Sequence, residues 1–408
     1  MPRPPRSAAR AGARRVPGRE TGRTRRHILP ALALVIAAAS AVGADTPYRL
    51  RHTGDIPSGC NELTMTMRED TGGRDVLYVA AKEGGLRIYD IAAAPRLLRQ
   101  IPTADLQALD VMSLSQAGAR LYLALGNHFS DRQAAGVAVV DITEPAAARV
   151  VDVWTDAHLR GGAGAVAAAD GRVYLGAMRH GLVILDSFGD GRLRERARLL
   201  PVLDYPDARP DPRKYNARGL VVRDGTVYLA FDAGGLRIID VTDPDRPRET
   251  GRYANPALLG KPRAYNNLVL DGDLAYVAVD YCGLEILNIA DPGAIRLVGW
   301  WNPVQCERSA WKWFTSPVHA NEIALDRACD QVFLSAGRSD LQVVSVADPA
   351  RPALRLAYGG VDNGIGTWGV SKQGQRVYLS YICTLGIPFR SRWSGVSLLE
   401  TEGDCAAP

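Results

Sequence analysis

The sequence predicts an all-β, seven-bladed β-propeller whose last blade is closed by the N-terminal strand of the mature chain. Three observations carry that reading. One pattern is written seven times between Tyr78 and Glu400: a Tyr-centred apolar strand, then a second strand ending in an acidic or polar residue. It reads LYVAAKEGGLRIYDI in the first copy and VYLAFDAGGLRIIDV in the fourth. The aligned aromatics (Tyr78, Tyr122, Tyr174, Tyr228, Tyr276, Phe333 and Tyr378) advance 300 residues in six steps, 50 per repeat. A strand-only repeat of that length, joined by Gly and Asp-Gly turns, is a propeller blade.

Each blade begins with a first strand before the aromatic one, in ELTMTM, DVMSLS, AVAAA, GLVVR, NLVLD, EIALD and GVSK. Its link to the second strand is a tight turn such as Asp170-Gly171, Asp224-Gly225 or Asp271-Gly272, because Gly tolerates positive φ. The strands are apolar almost throughout, as expected where both faces of a blade pack on neighbours. A fourth strand follows, as in Arg248 to Tyr253. The seventh repeat stops after its third strand at Glu400. Tyr48 to Gly54 has the texture of a fourth strand and is expected to complete the blade, hiding two sheet edges.

Residues 1–44 are expected to be a removed signal peptide, and 45–408 the propeller. Nine arginines and one glutamate precede the apolar run Ile28 to Ala39, which ends in small residues at Ala41, Gly43 and Ala44. Thr24-Arg25-Arg26 also resembles a twin-arginine export signal. The apolar run is too short for a membrane span. With the whole chain at +5 and the leader at +8, about −3 remains on 45–408. The high pI therefore belongs to the leader, and neither nucleic acid nor a membrane is an expected partner. The expected location is periplasmic or secreted, and the expected state a monomer.

All six cysteines lie after the leader, without a CxxC pair, and an even count in an exported chain favours disulfides. Assigning each to a rim predicts Cys60–Cys383, Cys282–Cys306 and Cys329–Cys405.

The motif Gly-Leu-Arg-Ile-Ile-Asp-Val-Thr-Asp-Pro at 235–244, with variants at 136–145 and 283–292, resembles the LVIVD-repeat family. The resemblance implies an exported bacterial propeller and says almost nothing about substrate. Blade 6 departs from the motif with Ser345, and blade 7 with Glu400, where the family prefers Asp.

The recurring Asp90, Asp141, Asp186 and Asp240 sit in turn sequences and are read as structural. More telling is loop length. The links from strand two to three and from strand four to the next blade share one rim. The long segments 127–135, 204–218, 302–319 and 382–394 all belong to it. Elaborated loops on a rigid scaffold are where binding residues gather. On that rim, residues at the start of each first strand are expected to converge on the central channel: Glu62, Asp110, Gly164, Asn216, Arg218, Asn266, Asn267, His319, Asn321, Glu322 and Trp368. Of these, Glu62, Asp110, Asn216, Asn267 and Glu322 form a candidate Ca²⁺ set, since that ion takes oxygen ligands in a flexible cage. His319, Asn321, Arg218 and Trp368, with Trp311 and Trp313 from the aromatic loop, form a candidate ligand-binding set. His128, His158 and His180 are read as solvated loop residues.

No GxSxG, HExxH or P-loop is present, so no catalytic residue is assigned. The expected function is a non-catalytic binding or scaffold propeller that holds a protein partner or a small extracellular ligand on its long-loop rim. The alternative is a Ca²⁺-dependent hydrolase or lactonase at the channel mouth.

Overall fold

A computed structural model describes residues 48–308, 316–361, 363–385 and 390–405. The expected signal peptide and the pair Trp311 and Trp313 lie outside the described residues.

Seven four-stranded antiparallel sheets form seven blades. Each aligned aromatic is the third residue of its second strand, as Tyr78 is in Val76–Ala80 and Phe333 in Gln331–Ser335. All seven are buried. The period of two explains why the strands are apolar without alternation. Leu77 and Val79 pack toward blade 7, whereas Val76, Tyr78 and Ala80 pack toward blade 2. The core is accordingly a set of clusters, one between each pair of adjacent blades. In blade 7, Arg49–Ser58 runs antiparallel to Ser394–Glu402 as the outermost strand, with Arg49 opposite Glu402 and Ser58 opposite Ser394.

The repeated Asp pins the turn into the fourth strand. Asp90, Asp141 and Asp240 each accept a main-chain N–H two residues on, at 3.0–3.1 Å. Each also pairs with the Arg that opens the fourth strand: Arg96, Arg149 and Arg248 at 2.8–3.1 Å. Between blades, the turn after strand two bridges the start of the next blade, as Lys82 does with Val111 and Asp232 with Tyr265.

The first strand of blade 1 is Met67–Glu69, later than the expected ELTMTM. His158 lies in the strand Arg149–Arg160 and not in a loop. The three expected disulfides, Cys60–Cys383, Cys282–Cys306 and Cys329–Cys405, are present, and such bridges belong to an oxidising compartment. Trp301 finishes the strand Arg296–Trp301 and is buried against blade 6, while Trp300 donates its indole N–H to the Cys282 carbonyl at 2.9 Å. Among the described residues, no helix is long and apolar enough to cross a membrane.

Candidate functional site

The seven first strands meet at a narrow axial cavity on the long-loop side. Each blade contributes a residue: Thr66, Met112, Gly164, Arg218, Asn266, Asn321 with Glu322, and Trp368. His128 joins them from the blade 2 loop. Three of these side chains reach the axis through β-bulges. The pairing of first and second strands skips one residue between Val111 and Ser113, between Tyr265 and Asn267, and between Thr367 and Gly369. The skipped residues are Met112, Asn266 and Trp368, and a bulge re-aims its extra side chain. Gly164 is required where blade 3 approaches blade 4, since a Cβ there would stand 2.7 Å from the Ala217 carbonyl.

The cavity offers ≈ 20 Å³ to the centre of a water-sized sphere, room for a water or two and not for an organic ligand. Its lining is polar. Asn266 donates to the Ala320 carbonyl at 2.8 Å and to Asn321 Oδ1 at 3.2 Å. Asn266 Oδ1, Asn321 Nδ2 and both His128 ring nitrogens are buried without a hydrogen bond among the described residues. Such groups are ordinarily satisfied by ordered water. The His128 ring stacks on Trp368 (centroids 6.0 Å apart, planes at 29°), and Phe129 meets the same indole edge-on at 5.2 Å. Burial drives the His128 pKa well below its ordinary value, helped by the nearby charges of Arg218 and Lys82.

Glu322 is the acid of this site. Burial pushes its carboxyl up to about 7, opposed by a hydrogen bond from Asn267 and by the charges of Arg68 and Arg218. Desolvation likewise lowers the pKa of Arg68, although its side chain is open to solvent.

The sequence-predicted sites divide. Arg218, Asn321, Glu322 and Trp368 line the cavity. His319 does not line it. It is buried behind the wall, Nδ1 3.1 Å from Asp280 Oδ1, with the Tyr281 ring edge-on at 5.5 Å. The five candidate Ca²⁺ ligands are dispersed into separate pairs. Glu62 pairs with Arg87, Asn216 donates to Asp232 at 2.8 Å, and Asn267 donates to Glu322. Asp110 accepts from Gln133 at 3.1 Å and lies 3.6 Å from Lys82. Among the described residues, no three His, Cys, Asp or Glu side chains gather as they would around a metal ion. The arginines beside Glu322 also disfavour a divalent cation. The residues present do not fit a bound Ca²⁺, because Thr66 and Met112 take the places on the axis expected of Glu62 and Asp110.

Sequence reasoning missed His128. Its only signal was its place in the long blade 2 loop.

The LVIVD repeat family model matches residues 216–255 and 262–302, blades 4 and 5. No curated protein sequence matches the chain. Among solved structures, the Myceliophteria thermophila Cps50 (Swd1) β-propeller domain superposes with a TM-score of 0.60 at 14% identity, covering 86% of this chain and 99% of that one. U3-55K gives 0.61 at 10% identity, covering 86% and 98%, and the RRP9 WD40 repeats give 0.60 at 12%, covering 86% and 97%. At such identities the likeness shows the fold alone. The chain is a seven-bladed β-propeller whose fourth and fifth blades match the LVIVD repeat.

Proposed function

We propose that this chain is an exported, non-catalytic binding propeller whose long-loop rim holds a partner protein. The supporting observation is where large apolar side chains stand exposed. Phe129, Leu200, Val202, Leu259 and Val361 are each 40–51% exposed, and all lie in links of the long-loop rim. Leu97, Leu297 and Leu354 are spread over outermost strands, and among the described residues Phe188 alone represents the opposite rim. Apolar side chains gathered on one face mark an interaction surface. The rim is also well anchored. The buried Arg237 guanidinium donates to the Gly234 and Tyr205 carbonyls at 3.0 and 2.7 Å and pairs with Glu249 at 2.9 Å. Arg263 bonds the Ala233 carbonyl at 2.9 Å and the Asp207 carboxylate, so two arginines tie down the 204–218 loop. A pre-organised surface loses less entropy on binding.

The test is cross-linking capture in the exporting cell with wild type, a rim variant (Val202→Ser with Leu259→Ser) and an opposite-rim variant (Phe188→Ser). A partner held by wild type and Phe188→Ser and lost by the rim variant is the expected result. Partners indifferent to the rim variant, or turnover of esters or lactones by the purified chain, would overturn the reading.

A further inference from the structure

Four blades place glycine at the entry to the third strand, and blade 6 does not. Gly85, Gly181, Gly235 and Gly283 hold φ of 77–82°, and a Cβ at any of them would come within 2.0–2.4 Å of a fourth-strand carbonyl. At the same register blade 6 has Asp340, with φ 59°. Aspartate is one of the few residues other than glycine that tolerates the left-handed region, so the turn survives the exchange and gains a carboxyl. Blade 6 makes room by moving the glycine across the pair. Gly359 stands opposite Asp340 with φ 77°, and a Cβ on it would lie 1.8 Å from Asp340 Oδ2.

Asp340 is 1% exposed. It accepts hydrogen bonds from the Tyr381 hydroxyl at 2.8 Å and from Asn363 Nδ2 at 2.9 Å, and no Lys, Arg or His pairs with it among the described residues. A buried carboxylate without a counter-ion is costly. Accordingly, burial pushes its carboxyl up to about 6. Beside it opens a pocket of ≈ 460 Å³ between blades 6 and 7, large enough for a small organic ligand. Tyr358, Tyr381 and Trp393 form its aromatic walls, with the Tyr381 and Trp393 rings 5.2 Å apart and tilted at 62°. Burial raises the pKa of the Tyr358 hydroxyl, and the Asp340 and Asp55 charges add to that shift. Among the described residues, no lysine or arginine lines this pocket, and His52 in its wall pairs with Asp55.

We propose that this pocket binds a small organic ammonium ion, with Asp340 as its counter-ion and Tyr358, Tyr381 and Trp393 as an aromatic cage. A cation over ring faces beside a desolvated carboxylate meets both halves of the lining, whereas an anion would meet neither. The pocket shares no lining residue with the axial cavity, and although Val361 lies in its 359–363 wall, Val202 and Leu259 of the rim variant stand apart from it, so its failure leaves the partner-binding reading standing.

Titrating the full mature chain with choline and with its neutral isostere 3,3-dimethylbutan-1-ol tests the proposal calorimetrically. At pH 7.5 choline is expected to bind saturably and at least tenfold tighter than the isostere. Asp340→Asn and Trp393→Ala should each weaken choline at least tenfold. Asp340→Gly restores the residue of the other blades, so it keeps a folded control with the same loss. Choline affinity should fall at pH 5 as Asp340 takes up its proton. His52 and Asp55, 3.0 Å apart, face the same pocket, Asp55 also accepting from Ser397 at 2.7 Å, so the Asp340 contribution is read as the difference between wild type and Asp340→Asn. The pH effect should therefore shrink in Asp340→Asn. Equal affinity for choline and its isostere, unchanged affinity in Asp340→Asn, or saturable binding of glucose in place of choline would overturn the assignment.

Discussion

Glu285 has no accessible surface, and its carboxyl accepts only neutral donors, Asn255 at 2.7 Å and Tyr265 at 2.8 Å. Burial pushes it up to about 7, so the fold keeps a proton that the unfolded chain releases above about 4.5. The sign follows by linkage. Stability from this group is complete below about 4.5 and is lost as pH rises through about 7. Glu322 at about 7 and Asp232 at about 6 act in the same direction. His128 opposes them, because a histidine held neutral by burial loses stability as pH falls. Glu285→Gln keeps the shape and removes the titration. Relative to wild type it should gain stability between pH 5 and pH 8, by at most on the order of 3 kcal/mol. Urea denaturation at the two pH values measures this, and parallel pH profiles would show that Glu285 is not ionising.

Loop 204–218 holds its shape through side chains from neighbouring strands more than through its own turns. Arg237 is the centre of that hold: fully buried, stacked near Tyr205 and Phe231 with its guanidinium 5.3 and 5.5 Å from the ring centroids, and paired with Glu249. Removing one partner of a buried pair strands the other. Arg237→Ala should therefore cost about 3 kcal/mol or more. Hydrogen exchange should rise across 204–218 and stay unchanged in the short turns of the opposite rim. A uniform rise over all seven blades would mean that Arg237 supports the whole ring and not this loop. The Asp–Arg clamps are more modest devices. Arg248 is exposed and Asp240 partly so, and their value lies in fixing the turn geometry that starts the fourth strand.

Seven inter-blade cores make the ring, and each blade depends on two neighbours. Stability is therefore shared around the circle, and separation at any one junction exposes two apolar faces. At the junction of first and last blades, Arg49–Ser58 lies on Ser394–Glu402, and Cys60–Cys383 joins positions 323 residues apart. A bridge spanning so long a segment acts mainly on the unfolded chain. Replacing Cys60 and Cys383 together by serine should lower stability by roughly 2–4 kcal/mol. Replacing Cys282 and Cys306, only 24 residues apart, should cost less in chain entropy. Equal losses would show that local strain, and not ring size, sets the effect.

The repeat, the blade count, the rim that carries the long loops and the cysteine pairing were all legible in the residues. Each is encoded by local pattern: an aromatic at a fixed place in a strand, Asp-Gly at a turn, a loop longer than its counterparts. Which side chains arrive at the axis was not. Strand side chains alternate faces, so a shift of one residue exchanges inside for outside. Bulges at Met112, Asn266 and Trp368 make that shift in three blades. Their position answers to how seven first strands crowd around one axis, a constraint no single repeat contains. For that reason Glu62 and Asp110 gave way to Thr66 and Met112, and His128 came in from a loop to stack on Trp368. Asp340 shows the same division. Its departure from the glycine of four other blades is visible in the repeat, but Tyr381 and Trp393 come from blade 7 and Asp55 from the strand Arg49–Ser58. Only the packing of one blade against the next brings them to a common pocket.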